Sequence, residues 1–190
     1  GEESLAKWRG AVGNREANRI QKQALKVGTQ VHAYIRKRLE VPEAPLPNEP
    51  YEAKMACIAA SKWMDDHPGL KVLLAEEPLE LPELDLVGHP DLILDTGVVD
   101  WKTSKTVGWK HIWQCTAYSY LAEAAMQVEF NHFKVVCLDK LVGVYTEHEF
   151  EVQPEIWQGF LGLLTAYKAY RRQHASPVAN AEDASQQEVG

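Results

Sequence analysis

The hydrophobic periodicity of this chain changes at Gly69, and that change limits its fold more than any other feature. Before Gly69, apolar residues recur every three or four positions; after it come short β-compatible stretches separated by turn-forming residues. Helical spacing returns over 108–128 and 154–172, on either side of two more predicted strands at 132–138 and 142–151. This order predicts an α/β fold, with one mixed central sheet flanked by helices and an N-terminal helical segment.

The region before Gly69 is predicted to be helical. One amphipathic pattern covers 14–39, although Gly28 leaves open whether this is one helix or two consecutive helices. Four prolines make 41–50 a loop, and a second helix follows over 51–66. Within the pattern over 14–39, the apolar stripe expected to face the protein core consists of Ala17, Ile20, Ala24, Val27, Val31 and Ile35.

The β-compatible region begins with three predicted strands, at 71–81, 84–94 and 98–103, which the short connections favour as an antiparallel meander. The length suits a single domain over residues 1–175. Residues 176–190 are small, polar and acidic and are predicted to be a disordered tail.

The net charge of −7 argues at first against a nucleic-acid ligand, but the charge is unevenly distributed. Residues 1–40 contain nine Lys or Arg against four Asp or Glu, whereas the last 15 residues contain three acidic residues and no basic one. Three widely spaced cysteines without a Cys-x-x-Cys pair, together with no visible signal peptide or transmembrane segment, predict a cytoplasmic or other reducing intracellular location.

Two apolar strand-like segments each carry an acidic residue where an apolar one is expected, Asp91 in the first and Asp100 in the second. A hairpin between the segments would bring the two carboxylates together, and they repel unless a cation lies between them. Lys102 lies on the same strand face as Asp100. The alternative interpretation is a surface salt bridge from Asp100 to Lys102 or Lys105.

These residues spell Pro90-Asp91 followed by Asp100-Trp101-Lys102, and other motifs accompany them in order: Gly28-x-x-x-His32 on an early helix and Gln114-x-x-x-Tyr118 on a later one. The set resembles the PD-(D/E)XK nuclease superfamily, in particular its RecB-like exonuclease branch, and Val99 to Ser104 is similar to the matching stretch of mitochondrial genome maintenance exonucleases. The resemblance runs from about residue 26 to 120. It implies a restriction-endonuclease-like core.

The resemblance also implies a set of site residues. Asp91 and Asp100 would be carboxylate ligands of Mg²⁺ or Mn²⁺, joined by the backbone carbonyl of Trp101 and by the imidazole of His32. Lys102 would be the catalytic lysine, which orients the nucleophile and neutralises charge on phosphorus.

The glutamate that the family places on the strand before this hairpin is left open by the sequence. Glu76 and Glu77 are adjacent, and spacing to Asp91 in the mitochondrial relatives favours Glu76 as a catalytic residue. Glu80 is the fallback.

Contacts with DNA are expected from several further residues. Gln114 and Tyr118 would contact the DNA backbone near the metal, the alternative being a core tyrosine beside an exposed glutamine. Trp109 and Trp113 could stack unpaired bases beside Lys110, although core packing would explain at least one of them. The remaining candidates are Thr103 and Lys105, just after the catalytic strand, and a basic helix face that could equally be a solvated surface: Arg15, Arg19, Lys22 and Lys26.

Together these observations predict a metal-dependent deoxyribonuclease, an exonuclease acting on DNA ends or single strands in recombination, repair or replication. Two alternatives stay open: a structure-specific endonuclease that uses the same site, and a non-catalytic DNA-binding accessory factor. A helicase or recombination protein is a possible partner. No membrane association is expected.

Overall fold

The computed structural model describes residues 2–174 of the chain, with side chains from residue 6. It confirms an α/β architecture in which a mixed five-stranded sheet is flanked by helices, including an N-terminal one. The elements in chain order are α1 (Glu2–Val12), α2 (Asn14–Glu40), α3 (Tyr51–Asp66), β1 (Val72–Ala75), β2 (Leu79–Leu81), a 3₁₀ turn (Pro82–Leu84), β3 (Leu86–Gly88), β4 (Leu92–Leu94), β5 (Gly97–Lys102), α4 (Trp109–Met126), β6 (His132–Leu138), β7 (Tyr145–Glu151) and α5 (Pro154–His174).

Helix α2 is continuous over 27 residues, so Gly28 does not divide it. Ala17, Val27, Val31 and Ile35 are buried as predicted. The prediction is wrong for two residues, because Ile20 is 38% exposed and Ala24 is exposed too. The core cluster shared by α2 and α3 includes α2 residues only from Val27 onward, and Ile20 and Ala24 instead line a surface cavity together with Glu52 of α3.

The five-stranded sheet has the order β1-β4-β5-β6-β7. All neighbouring strands are antiparallel except β5 and β6, which run parallel and are joined through α4. A parallel pair needs such a crossover, whereas an antiparallel pair can be joined by a tight turn.

The predicted strands 71–81 and 84–94 are each interrupted, so the simple meander is wrong there. The first breaks after β1, where Glu76 has a left-handed backbone (φ 55°) and Pro78 follows. The second breaks between β3 and β4, at His89-Pro90. As a result β2 and β3 form a separate two-stranded sheet, and β1 pairs directly with β4.

Two apolar clusters cover the two faces of the main sheet. One face carries Val99 and Trp101 of β5 and packs against α2 and α3, and the other carries Val98 and packs against α4. Because side chains alternate along a strand, Asp100 and Lys102 lie on the α4 side. One carboxylate and one ammonium group are thereby placed at the C-terminal end of β5, whose other residues are buried.

The chain divides into two compact units, one reaching to Val152 and one beginning at Gln153. Of the second unit the structure describes helix α5, which begins at Pro154, a residue suited to the first helical turn. The single domain over residues 1–175 stays a prediction, and the predicted tail 176–190 lies outside the described residues. No helix among residues 2–174 is both long enough and apolar enough to cross a membrane.

Candidate metal centre

Three side chains from distant parts of the chain meet at one end of the main sheet. His32, Glu76 and Asp91 each bring one potential ligand atom to within 4.8 Å of the others. His32 Nδ1 lies 2.8 Å from Glu76 Oε1 and 3.4 Å from Asp91 Oδ1. We refer to these three residues as the His–Glu–Asp cluster.

Different local structures place the members of this cluster. His32 lies on α2 at the edge of its buried face, one residue after Val31. Glu76 directly follows β1, and its left-handed backbone lets its N–H donate to the carbonyl oxygen of Asp91 at 3.1 Å. A non-glycine residue in this conformation is uncommon and costs about 1 kcal/mol or more, so the surrounding contacts must hold it there.

Asp91 and Asp100 face each other across the β4–β5 hairpin. The register pairs Leu92 with Val99, which sets the preceding Asp91 opposite Asp100. The N–H of Trp101 donates to Asp91 Oδ2 at 2.7 Å and leaves the other oxygen directed at His32. The predicted hairpin geometry for these two carboxylates is therefore confirmed.

Asp100 is fully buried and pairs with Lys102, whose Nζ lies 2.8 Å from Oδ1 and 2.7 Å from Oδ2. Only the Oδ1 contact has hydrogen-bond geometry, so Oδ2 is a buried oxygen without a hydrogen-bond donor among residues 2–174. The ion pair between Asp100 and Lys102 that the alternative interpretation predicted is present, but it is not a surface pair, because the side chain of Asp100 is fully buried and that of Lys102 is only 21% exposed.

The burial of two carboxylates at this point has a clear electrostatic effect. Burial, followed by repulsion from Asp100, raises the pKa of Asp91 to about 7. Burial also raises the pKa of Asp100, and the charge of Lys102 opposes that rise. Without a cation, Asp91 therefore holds a proton up to about neutral pH.

His32 and Lys102 have raised pKa values as well. The hydrogen bond to Glu76 raises the pKa of His32 against the opposing effect of burial, and the charge of Asp91 adds to the rise. Burial lowers the pKa of Lys102, but the charge of Asp100 and its hydrogen bond outweigh that effect. Lys102 is thus a protonated donor at any physiological pH.

This donor set fits a hard divalent cation. It offers one imidazole nitrogen and two carboxylates, and Asp100 lies opposite Asp91 with both of its oxygens close to Lys102 Nζ. Mg²⁺ and Mn²⁺ prefer oxygen donors, while Mn²⁺ also accepts imidazole. A cation here would remove the repulsion that raises the pKa of Asp91.

The structure separates the glutamates that the sequence left open. Glu76 belongs to the His–Glu–Asp cluster, whereas Glu77 is exposed and Glu80 lies exposed on β2 in the other sheet. In one continuous strand Glu76 and Glu80 would lie on the same face, but the left-handed backbone at Glu76 ends that alternation. Sequence reasoning also missed Trp63, whose ring packs edge-on against that of Trp101, with centroids 4.8 Å apart.

Gln114 and Tyr118 come together one turn apart on α4, where Gln114 Nε2 donates to the Tyr118 hydroxyl at 2.9 Å. Tyr118 is half-buried, and its ring lies so close to Gly88 that an added Cβ there would be 2.9 Å away. Burial raises the pKa of Tyr118, and the charges of Asp100 and Asp91 add to it. Both side chains therefore belong to the neighbourhood of the carboxylates.

A groove of about 580 Å³ connects α2 with the end of β5. His32 and Lys102 line it, and so does the predicted DNA contact Thr103. Its α2 wall is made mostly of small or uncharged side chains from Gln21 to Thr29. The candidate site is thus open to solvent along this wall.

The predicted basic face of α2 lies elsewhere. Its four members, Arg15, Arg19, Lys22 and Lys26, are all exposed, and Arg19 is paired with Glu16 at 2.7 Å. At 100° per residue they lie roughly 80–140° around the helix from His32. The structure therefore does not bring this basic face to the groove, and Lys105 is exposed in the loop after β5.

Comparison with models of known protein families and with curated proteins finds no match for this chain.

Proposed function

We propose that this chain is a divalent-metal-dependent nuclease with a restriction-endonuclease-like core, which hydrolyses phosphodiester bonds of DNA. The observation that carries the proposal is the meeting of His32, Glu76 and Asp91 beside the buried Asp100–Lys102 pair. These are the same residues that the PD-(D/E)XK resemblance selects from the sequence.

The topology supports the same conclusion. The motif residues lie on the β4–β5 hairpin, next to the one parallel strand pair of the main sheet, and helices cover both sheet faces. A buried carboxylate pair costs several kcal/mol. Lys102 and His32 offset that cost only in part, since the pKa of Asp91 is still raised to about 7.

In the proposed mechanism His32, Glu76 and Asp91 hold a divalent cation, with Asp100 and the Trp101 carbonyl as further oxygen donors. When bound, such a cation supplies Lewis-acid polarisation of the phosphodiester and lowers the pKa of water. The protonated Lys102 orients the attacking water and neutralises negative charge that develops on the phosphate oxygens. Gln114 and Tyr118 donate hydrogen bonds to the phosphate backbone.

The proposed scheme needs no covalent intermediate. Water attacks phosphorus, one ester P–O bond breaks, and the leaving oxygen is protonated. The products are a phosphate-ended and a hydroxyl-ended strand. We infer that the substrate is a DNA end or a single strand, and that a helicase or recombination protein can present it.

The test is the digestion of end-labelled linear DNA, single- and double-stranded, with Mg²⁺ or Mn²⁺. Asp100→Asn and Lys102→Gln are expected to lower the rate by a factor of at least about 10³, since charge stabilisation of this kind is worth several kcal/mol. Because each single variant leaves one partner unpaired, the double variant, which keeps the site neutral, is measured beside them. Lys71→Gln, which removes an exposed lysine paired with Asp95, is the matched control and should cleave normally.

Wild-type rates in both single variants would overturn the proposal. Cleavage of circular single-stranded DNA would replace the exonuclease with an endonuclease. DNA binding without cleavage and without Mn²⁺ or Mg²⁺ binding by calorimetry would identify a non-catalytic accessory factor instead.

A further inference from the structure

An exposed tryptophan begins the helix that carries Gln114 and Tyr118. Trp109 is the first residue of α4 and is 60% exposed, so core packing does not explain it. Its ring meets that of Trp113 edge-on, with centroids 5.7 Å apart, and Lys110 Nζ lies 5.7 Å from the Trp109 ring centroid. We call Trp109, Lys110 and Trp113 the aromatic ledge.

The ledge lies in a stretch of this acidic chain that has basic but no acidic residues. Residues 101–122 include three lysines and no Asp or Glu, in a sequence that has 27 acidic residues in total. Lys102 forms an ion pair with Asp100, whereas Lys105 and Lys110 are exposed to solvent. A ligand that suits this surface therefore combines negative charge with a flat apolar face.

The ledge and the candidate metal centre are joined by helix α4. Along the helix axis Trp109 and Tyr118 are about 14 Å apart, and at 100° per residue they lie on opposite sides of the helix. His111, on the same first turn as the ledge, is close enough to the centre that the charge of Lys102 contributes to lowering its pKa, after burial. A single strand that passes around the first turn of α4 would therefore reach both places.

We propose that the aromatic ledge binds an unpaired nucleobase of a DNA single strand, which stacks on Trp109 while a neighbouring phosphate meets Lys110. The proposal rests on the proposed nuclease function and names the substrate class of that site. A base inside a duplex has both faces covered by its neighbours, so a stacking surface selects unpaired or frayed nucleotides. Stacking also tolerates any base, which suits an enzyme without sequence preference.

The experiment measures binding of a fluorescein-labelled 12-nucleotide dT strand by anisotropy, in EDTA so that nothing is cleaved. A strand of equal length and charge whose nucleotides are abasic is the matched ligand. We expect Trp109→Ala to weaken binding of the dT strand about tenfold and binding of the abasic strand less than twofold. Trp109→Phe, which keeps a flat ring, should stay within about threefold of wild type on the dT strand.

Trp109 is an exposed residue, so its variants are expected to fold, and thermal melting of each checks this. Three results would overturn the proposal: wild-type dT affinity in Trp109→Ala, an equal loss for dT and abasic strands, or no wild-type binding of the dT strand at micromolar concentration. An equal loss on both strands would assign the ledge to charge or to protein contacts.

The two proposals fail in distinguishable ways. If the ledge does not bind bases, Asp100→Asn and Lys102→Gln still abolish cleavage. If the chain is not a nuclease, those variants change nothing, whereas the preference for dT over abasic strand can persist.

Discussion

Replacement of Asp91 by Asn tests whether the carboxylates are arranged for a cation rather than for stability. The amide is nearly isosteric, and its oxygen can still accept the Trp101 N–H that now lies 2.7 Å from Oδ2. The substitution removes the charge of Asp91, and with it both the repulsion from Asp100 and the attraction of His32 and Lys102; the raised pKa of Asp91 means that the unfavourable effects of burial and repulsion outweigh that attraction. We therefore expect Asp91→Asn to stabilise the metal-free protein while it weakens cation binding.

The magnitude follows from the pKa of Asp91, which burial and the charge of Asp100 raise from 3.8 to about 7. Below about pH 4 the folded and unfolded states both hold the proton, so wild type and variant differ little. Between about pH 4 and 7 the unfolded chain has released a proton that the folded state keeps. Each pH unit in this range therefore lowers the wild-type free energy of unfolding by about 1.4 kcal/mol. Above pH 7 the free energy of unfolding falls no further, and the total decrease is about 4 kcal/mol.

The assay is urea unfolding in EDTA at pH 4.5 and pH 8, followed by circular dichroism. Asp91→Asn should be up to about 4 kcal/mol more stable than wild type at pH 8 and less than about 1 kcal/mol different at pH 4.5. Asp95→Asn is the control, because Asp95 lies on the same hairpin with its side chain 42% exposed. It should change stability by less than about 0.5 kcal/mol at either pH.

Saturating Mn²⁺ should reverse the order, since a ligand stabilises only the state that binds it. Wild type then gains stability and Asp91→Asn gains little. A variant that is less stable than wild type at pH 8 in EDTA, or a difference that does not change with pH, would refute this account of the site.

Three further predictions concern other parts of the molecule. Gly97→Ala should lower the free energy of unfolding by more than about 2 kcal/mol, because Gly97 has φ 143° and an added Cβ would lie 2.3 Å from the His132 carbonyl oxygen; a loss under about 0.5 kcal/mol in urea unfolding would contradict it. His32→Gln should weaken Mn²⁺ binding more than Mg²⁺ binding by calorimetry, since imidazole favours Mn²⁺, and equal losses would argue against ligation. Burial raises the pKa of Cys57 to about 12, so a thiol reagent at pH 8 should leave it unmodified in the native protein and react in urea; rapid native labelling of Cys57 would show that the core is open there.

Local sequence signals are enough for most elements of this fold. The helical stripe of α2, the apolar runs of β4 to β6 and the proline loop before α3 all follow from spacing and side-chain chemistry that neighbouring residues share. The breaks in the predicted strands at Glu76 and His89-Pro90 were missed because apolar composition continues across β1 to β3. Hydrophobic pattern alone does not report that one residue adopts a left-handed backbone.

The exposure of Ile20 and Ala24 has the same kind of origin. Their spacing matches the buried positions of α2, but burial also needs close packing, and these two residues line a cavity beside α3 instead of joining the core cluster. Likewise, the basic face of α2 is visible in the sequence, whereas its orientation away from the groove depends on how that helix is packed.

The sequence by itself determined the identity and spacing of the chemically active residues, because Asp91, Asp100 and Lys102 lie within one hairpin whose geometry is local. Only the tertiary structure decided that His32 and Glu76 join Asp91, since 44 residues separate the first two in the chain and a left-handed turn aims the second. It also decided that Asp100 is fully buried while Trp109 is exposed. Burial and long-range contact depend on which surfaces pack together, and no local pattern carries that information.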